Sequence, residues 1–425
     1  MNQFDVIVVG GGTSGLMASV TAAQEGSKVL LLEKNPTLGK KMLLTGGTRC
    51  NVTNIRSSDE IIKHIPGNGR FLYGAFSRYD NHDIIDFFES RGVKLKEEDH
   101  GRLFPTTDSA KTILNTFIEE IKKQKVEVRT NQSVAKLLIE DGAVVGVLTA
   151  EGEEIRAYSV ILATGGKSYP ATGSTGDGYR MAKQVKHTIT PLFATEVPLT
   201  SDEDFIKNKI LRALSLRDVA LSVLNKKGKA VVTHQMDMIF THFGISGPAV
   251  LRCSSFVHTI QEREGTKDVT MKLNVVPNES AKSLAHMWRN WLQTAPQKSV
   301  KTHLKTLVPE RYAEFLLVKA GIDATMSLNQ LNEPQTKKIL DLLQNFTFTV
   351  NGTLAIEKGF VTGGGVQLKE IDPKTMASKQ AAGLFFCGEL LDIHGYTGGY
   401  NITAAFVTGH TAGVNAAEYA SYFNY

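Results

Sequence analysis

Residues 4–15, Phe4-Asp-Val-Ile-Val-Val-Gly-Gly-Gly-Thr-Ser-Gly15, set a β-branched apolar run directly against glycines spaced as Gly10-x-Gly12-x-x-Gly15. The run reads as a buried strand, and the small and apolar LMASVTAAQEG that follows reads as a helix. Strand, tight glycine turn and helix open a dinucleotide-binding fold. Gly10 permits the turn, Gly12 lets the backbone approach a pyrophosphate, and Gly15 lets the helix lie close on the sheet. Thr13 and Ser14 stand at the helix N-terminus, where unpaired N–H groups can meet phosphate oxygens. The next apolar run, KVLLLEK, ends at Glu33, about 20 residues beyond the glycines, where an acid accepts ribose hydroxyls. An acid at that place repels the extra phosphate of NADP, so the site suits FAD or NAD. Lys34 beside it offsets local charge or is solvated.

The segment NPTLGKKMLLTGGTRCNVTN, residues 35–54, comes next. With a pyrophosphate at Gly12, this loop is expected to run along the cofactor. Gly39, Gly46 and Gly47 would allow close approach, and Lys40, Lys41 and Arg49 would supply charge. Cys50 lies within it. The three cysteines, Cys50, Cys253 and Cys387, form no Cys-x-x-Cys pair and no cluster with metal-ligand spacing, so neither a dithiol centre nor a metal is expected. Cys50 then reads as a small packed residue, with a thiol lining the cofactor as the alternative.

A chain of 425 residues, 42% hydrophobic and 21% charged, has room for two or three cores. The net charge of +5 is spread over nearly balanced cations and anions, and a phosphate-rich cofactor is enough to use it. Nucleic acid is therefore not expected as a partner, and a small-molecule substrate is. The opening residues lack a basic, apolar export signal, and no segment approaches the roughly 20 apolar residues that cross a bilayer. The cytoplasm is the expected compartment, with no membrane partner.

Helical periodicity marks 80–94 and 108–124, and strands are expected through 126–150, with Asp141-Gly142 as a hairpin turn. Val134 lies in these strands and could rest against an adenine. The run Ile161-Leu-Ala-Thr164-Gly165-Gly166 is a second apolar strand ending in glycines, a further place for backbone to pass close to a cofactor. From about 191 to 350 the pattern changes to short strands with helices at 280–293, 299–308 and 333–343, as in an inserted β-rich unit with a helical part. Trp288 and Trp291, three apart, are expected in its core, and Ser246 is expected to cap a helix with proline in its first turn. The last 75 residues return to the first style. A short apolar strand ends at Cys387-Gly388-Glu389, and Gly398-Gly-Tyr-Asn401 opens a small-residue helix whose positive end can support an electron-rich ring.

Together Gly10-x-Gly12-x-x-Gly15 with Glu33, Thr45-Gly-Gly-Thr-Arg-Cys-Asn51, Ala163-Thr-Gly-Gly166, and Gly388-Glu389 leading to Gly398-Gly-Tyr-Asn401 resemble the HI0933-like and BaiN-like flavoproteins. These are also described as NAD(P)/FAD-dependent oxidoreductases and as aminoacetone oxidase-like. The resemblance covers nearly the whole chain. It implies an α/β fold in which a doubly wound FAD-binding domain, residues 1–190 and 351–425, is interrupted at 191–350. The interruption would be a β-barrel-like domain with a small helical domain at about 278–343. It implies bound FAD held by Gly10, Gly12, Gly15 and Glu33 at the pyrophosphate and adenosine ribose. Lys41 and Gly46, Gly47, Arg49, Cys50 and Asn51 would follow the cofactor towards its flavin. Val134, Thr164 and Gly165 would flank the adenosine half, and Gly388, Glu389, Gly399, Tyr400, Asn401 and Ile402 would meet the ribityl chain and flavin edge.

Flavin supplies the electron chemistry, so no side-chain nucleophile is required. Proton relay falls to His394, Tyr396 or His242, and Arg49 is the candidate to stabilise negative charge on reduced flavin or to orient a carboxylate. The leading reading is an FAD-dependent oxidoreductase that transfers a hydride, with NADH, NADPH or a small organic molecule as donor. A flavin-containing nucleic-acid-binding or RNA-modifying protein is the alternative. An NAD-dependent dehydrogenase without flavin accounts least well for the distributed glycine loops.

Overall fold

The computed structural model describes residues 3–423. The chain divides into two compact units, one running to Phe193 and resuming at Ile356, the other spanning Ala194–Ala355.

The first unit is built on the opening strand–turn–helix. Strand β1 (Gln3–Val9), helix α1 (Thr13–Gln24) and strand β2 (Val29–Leu32) are followed by α2 (Ser58–Lys63) and α3 (Ala110–Lys123). Four strands come next: β3 (Glu127–Arg129), β4 (Val134–Glu140), β5 (Ala143–Thr149) and β6 (Glu154–Leu162). Strand β7 (Leu384–Phe386) and helix α4 (Tyr400–Ser421) complete the unit. The sheet order is β3-β2-β1-β6-β5-β4, with β7 also on β6. Strands β3, β2, β1, β6 and β7 are mutually parallel, whereas β4 and β5 form the antiparallel hairpin turning at Asp141-Gly142. The central parallel strands are apolar where both faces are covered, and β2 is buried throughout, whereas the edge strand β3 is not.

This is the mixed α/β dinucleotide fold that the opening glycines imply. The C-terminal ends of β1, β2, β6 and β7 deliver Gly10, Glu33, Ala163 and Cys387 to one rim of the sheet, where ligands of such folds bind.

The second unit contains a seven-stranded antiparallel sheet ordered 346–350, 269–274, 215–224, 230–240, 244–246, 199–200, 352–353. That order has two ends, so it gives a further β-sheet without by itself closing the barrel-like form. Helices Ala281–Thr294, Val300–Leu304, Glu310–Ala320 and Glu333–Asn345 lie in the chain between its strands 269–274 and 346–350. Trp288 is buried in the core and Trp291 packs half-buried against it. Helix Glu310–Ala320 was not foreseen: its buried Tyr312, Phe315 and Leu316 follow helical spacing that the adjacent apolar residues obscure. Ser246 is not a helix cap. It belongs to strand Gly244–Ser246, and the helix Pro248–Glu264 starts after Gly247, whose φ of +97° brings the chain around without a side-chain cap.

Candidate functional site

At the start of α1 the N-cap is Gly12, with no side-chain cap and no acid in the first turn. The first N–H groups of the helix are therefore left for a ligand. The three glycines do different things. A Cβ at Gly15 would lie 1.8 Å from the Gly10 carbonyl oxygen, and one at Gly10 would lie 2.5 Å from the oxygen of Ala163. A Cβ at Gly12 would meet nothing within 4 Å. Gly10 and Gly15 are thus required by the fold, while Gly12 is small beside open space. Glu33, buried at the end of β2, accepts the Gly11 N–H at 2.7 Å through one oxygen and the Asn35 N–H at 2.8 Å through the other.

Helix α4 lies along α1 with almost no side chain between them. A Cβ at Gly409 would fall 2.4 Å from the Ser14 carbonyl oxygen, and one at Gly413 would fall 2.7 Å from that of Ala18. The ascending pairs Ser14/Gly409 and Ala18/Gly413 make the helices parallel, so their positive ends face the same way. Ser14 is the second residue of α1 and Gly409 the tenth of α4, which puts the start of α4 about 12 Å further out at 1.5 Å per residue. Two helix N-termini so displaced suit the pyrophosphate and the ring system of one extended dinucleotide.

Segment 45–54 packs against the start of α4. Gly46, Gly47 and Thr48 have φ of 57°, 66° and 71°, a left-handed turn closed by the Cys50 N–H on the Thr45 carbonyl at 3.0 Å. For Thr48, a β-branched residue, this conformation is strained. Asn51 is spent internally. With its amide turned to satisfy its neighbours, its oxygen accepts the Gly399 N–H at 2.8 Å and its NH2 donates to Thr53 and Leu103. Thr53 and Thr403 share a hydroxyl contact of 2.7 Å, and the Asn54 amide donates to Gly398 at 3.1 Å. The loop therefore moors the start of α4.

Arg49 is engaged within the protein. Both guanidinium nitrogens donate to Glu98, at 2.7 and 3.2 Å, a further bond goes to Asp108 at 3.3 Å, and the plane lies 4.1 Å from the Phe104 ring centre. It fastens the left-handed turn to the small sheet formed by 53–54, 95–98 and 102–105, and no part of this needs a flavin. Its partners lie 49 and 59 residues away, which is why local sequence did not show them.

Cys50 is buried, and burial pushes its thiol up to about 12, as it does that of Cys387; Cys253 is likewise raised. The thiols are neutral at physiological pH and poor nucleophiles. Iodoacetamide at pH 8 is expected to leave all three unmodified in the native protein and to label three after unfolding; rapid native labelling at Cys50, read by mass spectrometry, would refute this. Cys50→Ser is expected to retain FAD, whereas Gly47→Val, which places a branched residue at φ of 66°, is expected to reduce retention.

A charged cluster ties four segments together. Lys41 Nζ donates to Glu389 at 2.7 Å and to Ser168 at 2.8 Å, and Glu389 accepts the Thr362 N–H at 2.6 Å. Thr362 Oγ1 in turn accepts the Lys167 and Ser168 N–H groups. Neither Ser168 nor Thr362 was foreseen, because single hydroxyl residues carry no periodic or motif signal. Lys34 pairs with Asp177 at 2.6 Å, so its charge is compensated.

Of the remaining candidates, Asn401 holds the segment before it: its oxygen accepts the Gly395 N–H at 2.7 Å and its NH2 donates to Gly395 and Tyr396. His394 and Tyr396 are buried on that segment, and Tyr400 begins α4 fully buried. His64 stacks on Tyr400 at 4.6 Å and meets Tyr396 edge-on at 6.1 Å, a neighbour that the sequence reading missed. Ile402 is buried in the first turn of α4, and Gly388, at φ of 71°, crosses Ser14. Val134 is buried where β4 begins; Gly165 has φ of 71°, and the buried Thr164 hydroxyl has no partner among the described residues. His242 lies on the second unit, exposed between strands 230–240 and 244–246. No cluster of His, Cys, Asp or Glu among the described residues could hold a metal.

The donor set, the clearance at Gly12 and the displaced helix ends fit FAD. Thr13, Ser14 and Gly15 would offer N–H groups to the pyrophosphate, Glu33 would take the ribose, and Gly399 to Ile402 would present the second positive end.

Comparison with known proteins gives three kinds of match. The model of the HI0933-like protein Rossmann domain matches residues 4–415. The ribosomal RNA dihydrouridine synthase of Haemophilus influenzae is 30% identical over 98% of this chain and 100% of its own length. The 3-dehydro-bile acid delta(4,6)-reductase of Clostridium scindens is 30% identical with the same coverage. Among solved structures, 3-ketosteroid delta1-dehydrogenase from Sterolibacterium denitrificans shares the fold, with a TM-score of 0.51, 13% identity, and coverage of 98% of this chain and 100% of that one. The setting-aside of nucleic acid as a partner is overturned by the first of these relatives, which is named for ribosomal RNA and aligns end to end. A net charge averages over the surface and says nothing about where cations gather. No helix among the described residues is long and apolar enough to cross a membrane.

Proposed function

The chain belongs to the HI0933-like family of FAD-dependent oxidoreductases, and on that premise we propose that it saturates a carbon–carbon double bond conjugated to a carbonyl, in the uracil ring of RNA. The observation that carries this reading is the end-to-end match to two relatives whose names share one chemistry. A dihydrouridine synthase and a delta(4,6)-reductase each remove a ring double bond. The reaction adds a hydride to the ring carbon remote from the carbonyl and a proton to its neighbour. When bound, FAD supplies the hydride, drawn from NADH or NADPH.

The residues of the chain do the remainder. The starts of α1 and α4 stabilise negative charge, one at the pyrophosphate and one at the ring system. Lys41 and Glu389 fix the rim on which the ribityl chain would be held. Tyr396 or His394, held by Asn401 and by the backbone of 64–67, provides the proton, with the burial of both side chains excluding water. Cys50, neutral and buried, takes no part. The cytoplasm, where ribosomal RNA is accessible, is the compartment this reading requires.

The test is anaerobic. Holoprotein reduced with one equivalent of dithionite is mixed with protein-free ribosomal RNA, and the visible flavin absorbance is followed. Reappearance of the oxidised spectrum with RNA, but not with RNA already saturated at uridine, is expected. Reoxidation by a steroid dienone and not by RNA would overturn the substrate assignment, and reoxidation by neither would overturn the reaction class.

A further inference from the structure

An open cleft of about 660 Å³ in the first unit is lined by three cations, Lys63, Arg70 and Lys369, and by Phe71, Tyr73 and Asn68, with no acidic residue in its lining. Lys63 is partly compensated by Glu60 at 2.6 Å. Arg70 and Lys369 are exposed and have no carboxylate partner among the described residues. Tyr73 is 49% exposed, which leaves a face of its ring open to stacking. Isolated cations beside an exposed aromatic ring suit a single-stranded nucleic acid, whose phosphates need charge and whose bases need a π-face. A small apolar ligand would call for a more enclosed and less charged wall.

The position of the cleft gives it meaning. Its 64–69 segment is bonded to the segment carrying the proton-donor candidates. The Gly67 N–H donates to the His394 carbonyl at 2.9 Å, the Asn68 amide to the Asp392 carbonyl at 2.8 Å, and the Tyr396 N–H to the His64 carbonyl at 3.0 Å. A strand lying in the cleft is thus separated from the site by one backbone pairing. Enzymes acting on a base must take it out of its stack, and the flanking nucleotides must be gripped while that happens.

We infer that this cleft docks a single-stranded segment of RNA, with Arg70 and Lys369 on consecutive phosphates and Tyr73 stacked on a base that flanks the one delivered to the site. The inference rests on the RNA reading given under Proposed function and adds the surface that selects RNA.

The experiment uses FAD-loaded holoprotein and a fluorescein-labelled oligouridylate, titrated over a salt series. For Arg70→Gln/Lys369→Gln, loss of two phosphate contacts is expected to lower the magnitude of the log–log salt slope by about 1.4 and to weaken low-salt binding about 10-fold or more. Tyr73→Ala is expected to weaken binding about 10-fold with the slope unchanged, because stacking releases no counterions. FAD content and flavin reduction by dithionite should match the wild type in every variant. If the wild type reduces uracil in RNA and the double variant binds and reduces it equally well, the docking surface is overturned and the reaction stands. If the wild type binds oligouridylate through this cleft but never reduces it, the surface stands and the reaction falls. Absence of RNA binding by the wild type, or variant-sensitive binding to anionic phospholipid vesicles in preference to RNA, overturns the docking inference.

Discussion

Gly12→Val is expected to leave the apoprotein as stable as the wild type while weakening FAD binding by roughly 100-fold, about 3 kcal/mol, whereas Gly15→Ala is expected to damage both. The difference follows from what an added carbon would meet. At Gly12 it meets open space, in an extended backbone with φ of −84° that any residue adopts, so the polypeptide tolerates it and only a ligand in that space would not. At Gly15 it falls 1.8 Å from the Gly10 carbonyl oxygen, a backbone atom that cannot move without parting α1 from β1. Such overpacking costs about 3 kcal/mol or more. Melting curves of the FAD-free proteins separate this from the stabilisation that a bound ligand adds by mass action. A Gly12→Val protein that still co-purifies with stoichiometric FAD would remove the pyrophosphate from this turn.

Lys41→Met is the second large effect. Its partner Glu389 is 21% exposed and would remain behind as a carboxylate without a counter-charge, which costs about 3 kcal/mol. The pH dependence gives the claim a sign. Burial pushes the Glu389 carboxyl up, but the Lys41 charge and the hydrogen bonds from Lys41 and Thr362 outweigh burial, so the folded carboxyl titrates below its ordinary value. The stabilisation is therefore complete above the unfolded glutamate pKa of about 4.3 and is lost as pH falls through the folded value. In Lys41→Met burial opposes only the neutral hydrogen bonds from the Thr362 N–H and the Ser168 hydroxyl, the latter at 3.1 Å, so the carboxyl shifts upward and protonation relieves the penalty. Urea midpoints should accordingly separate widely at pH 7 and converge towards pH 4, and Lys41→Met/Glu389→Gln should recover most of the loss. Equal separation at both pH values would show that the cost lies in packing of the lysine stem and not in the stranded charge.

What could be read from the sequence divides along a physical line. Features set by neighbours in the chain were legible: β1 and the glycine turn, the hairpin at Asp141-Gly142, and the helix opening after Gly398-Gly399. Each depends on local periodicity or on a backbone angle that only glycine adopts easily. Features set by distant partners were not. Nothing near Arg49 announced its partners Glu98 and Asp108, and Ser168 and Thr362 gave no signal before the fold placed them around Glu389. The close packing of α1 on α4 lay between these cases. Gly409 and Gly413 repeat at four residues, as a helix needs to approach another backbone, but the partner strip at Ser14 and Ala18 is identified only in three dimensions. The cleft beside Tyr73 had the same obstacle, since Arg70 and Lys369 are 299 positions apart and a net charge of +5 does not reveal that they meet.

The most direct measurement follows the transferred hydrogen. Holoprotein is incubated anaerobically with protein-free ribosomal RNA and NADPH deuterated at the transferable position, and the RNA is then digested to nucleosides for mass spectrometry. Dihydrouridine that carries deuterium to the extent that transfer outpaces exchange of the reduced flavin's N–H with water, and that is absent from Gly12→Val that has lost its FAD, is the predicted result. Complete oxidation of the nucleotide with every uridine unchanged would contradict it.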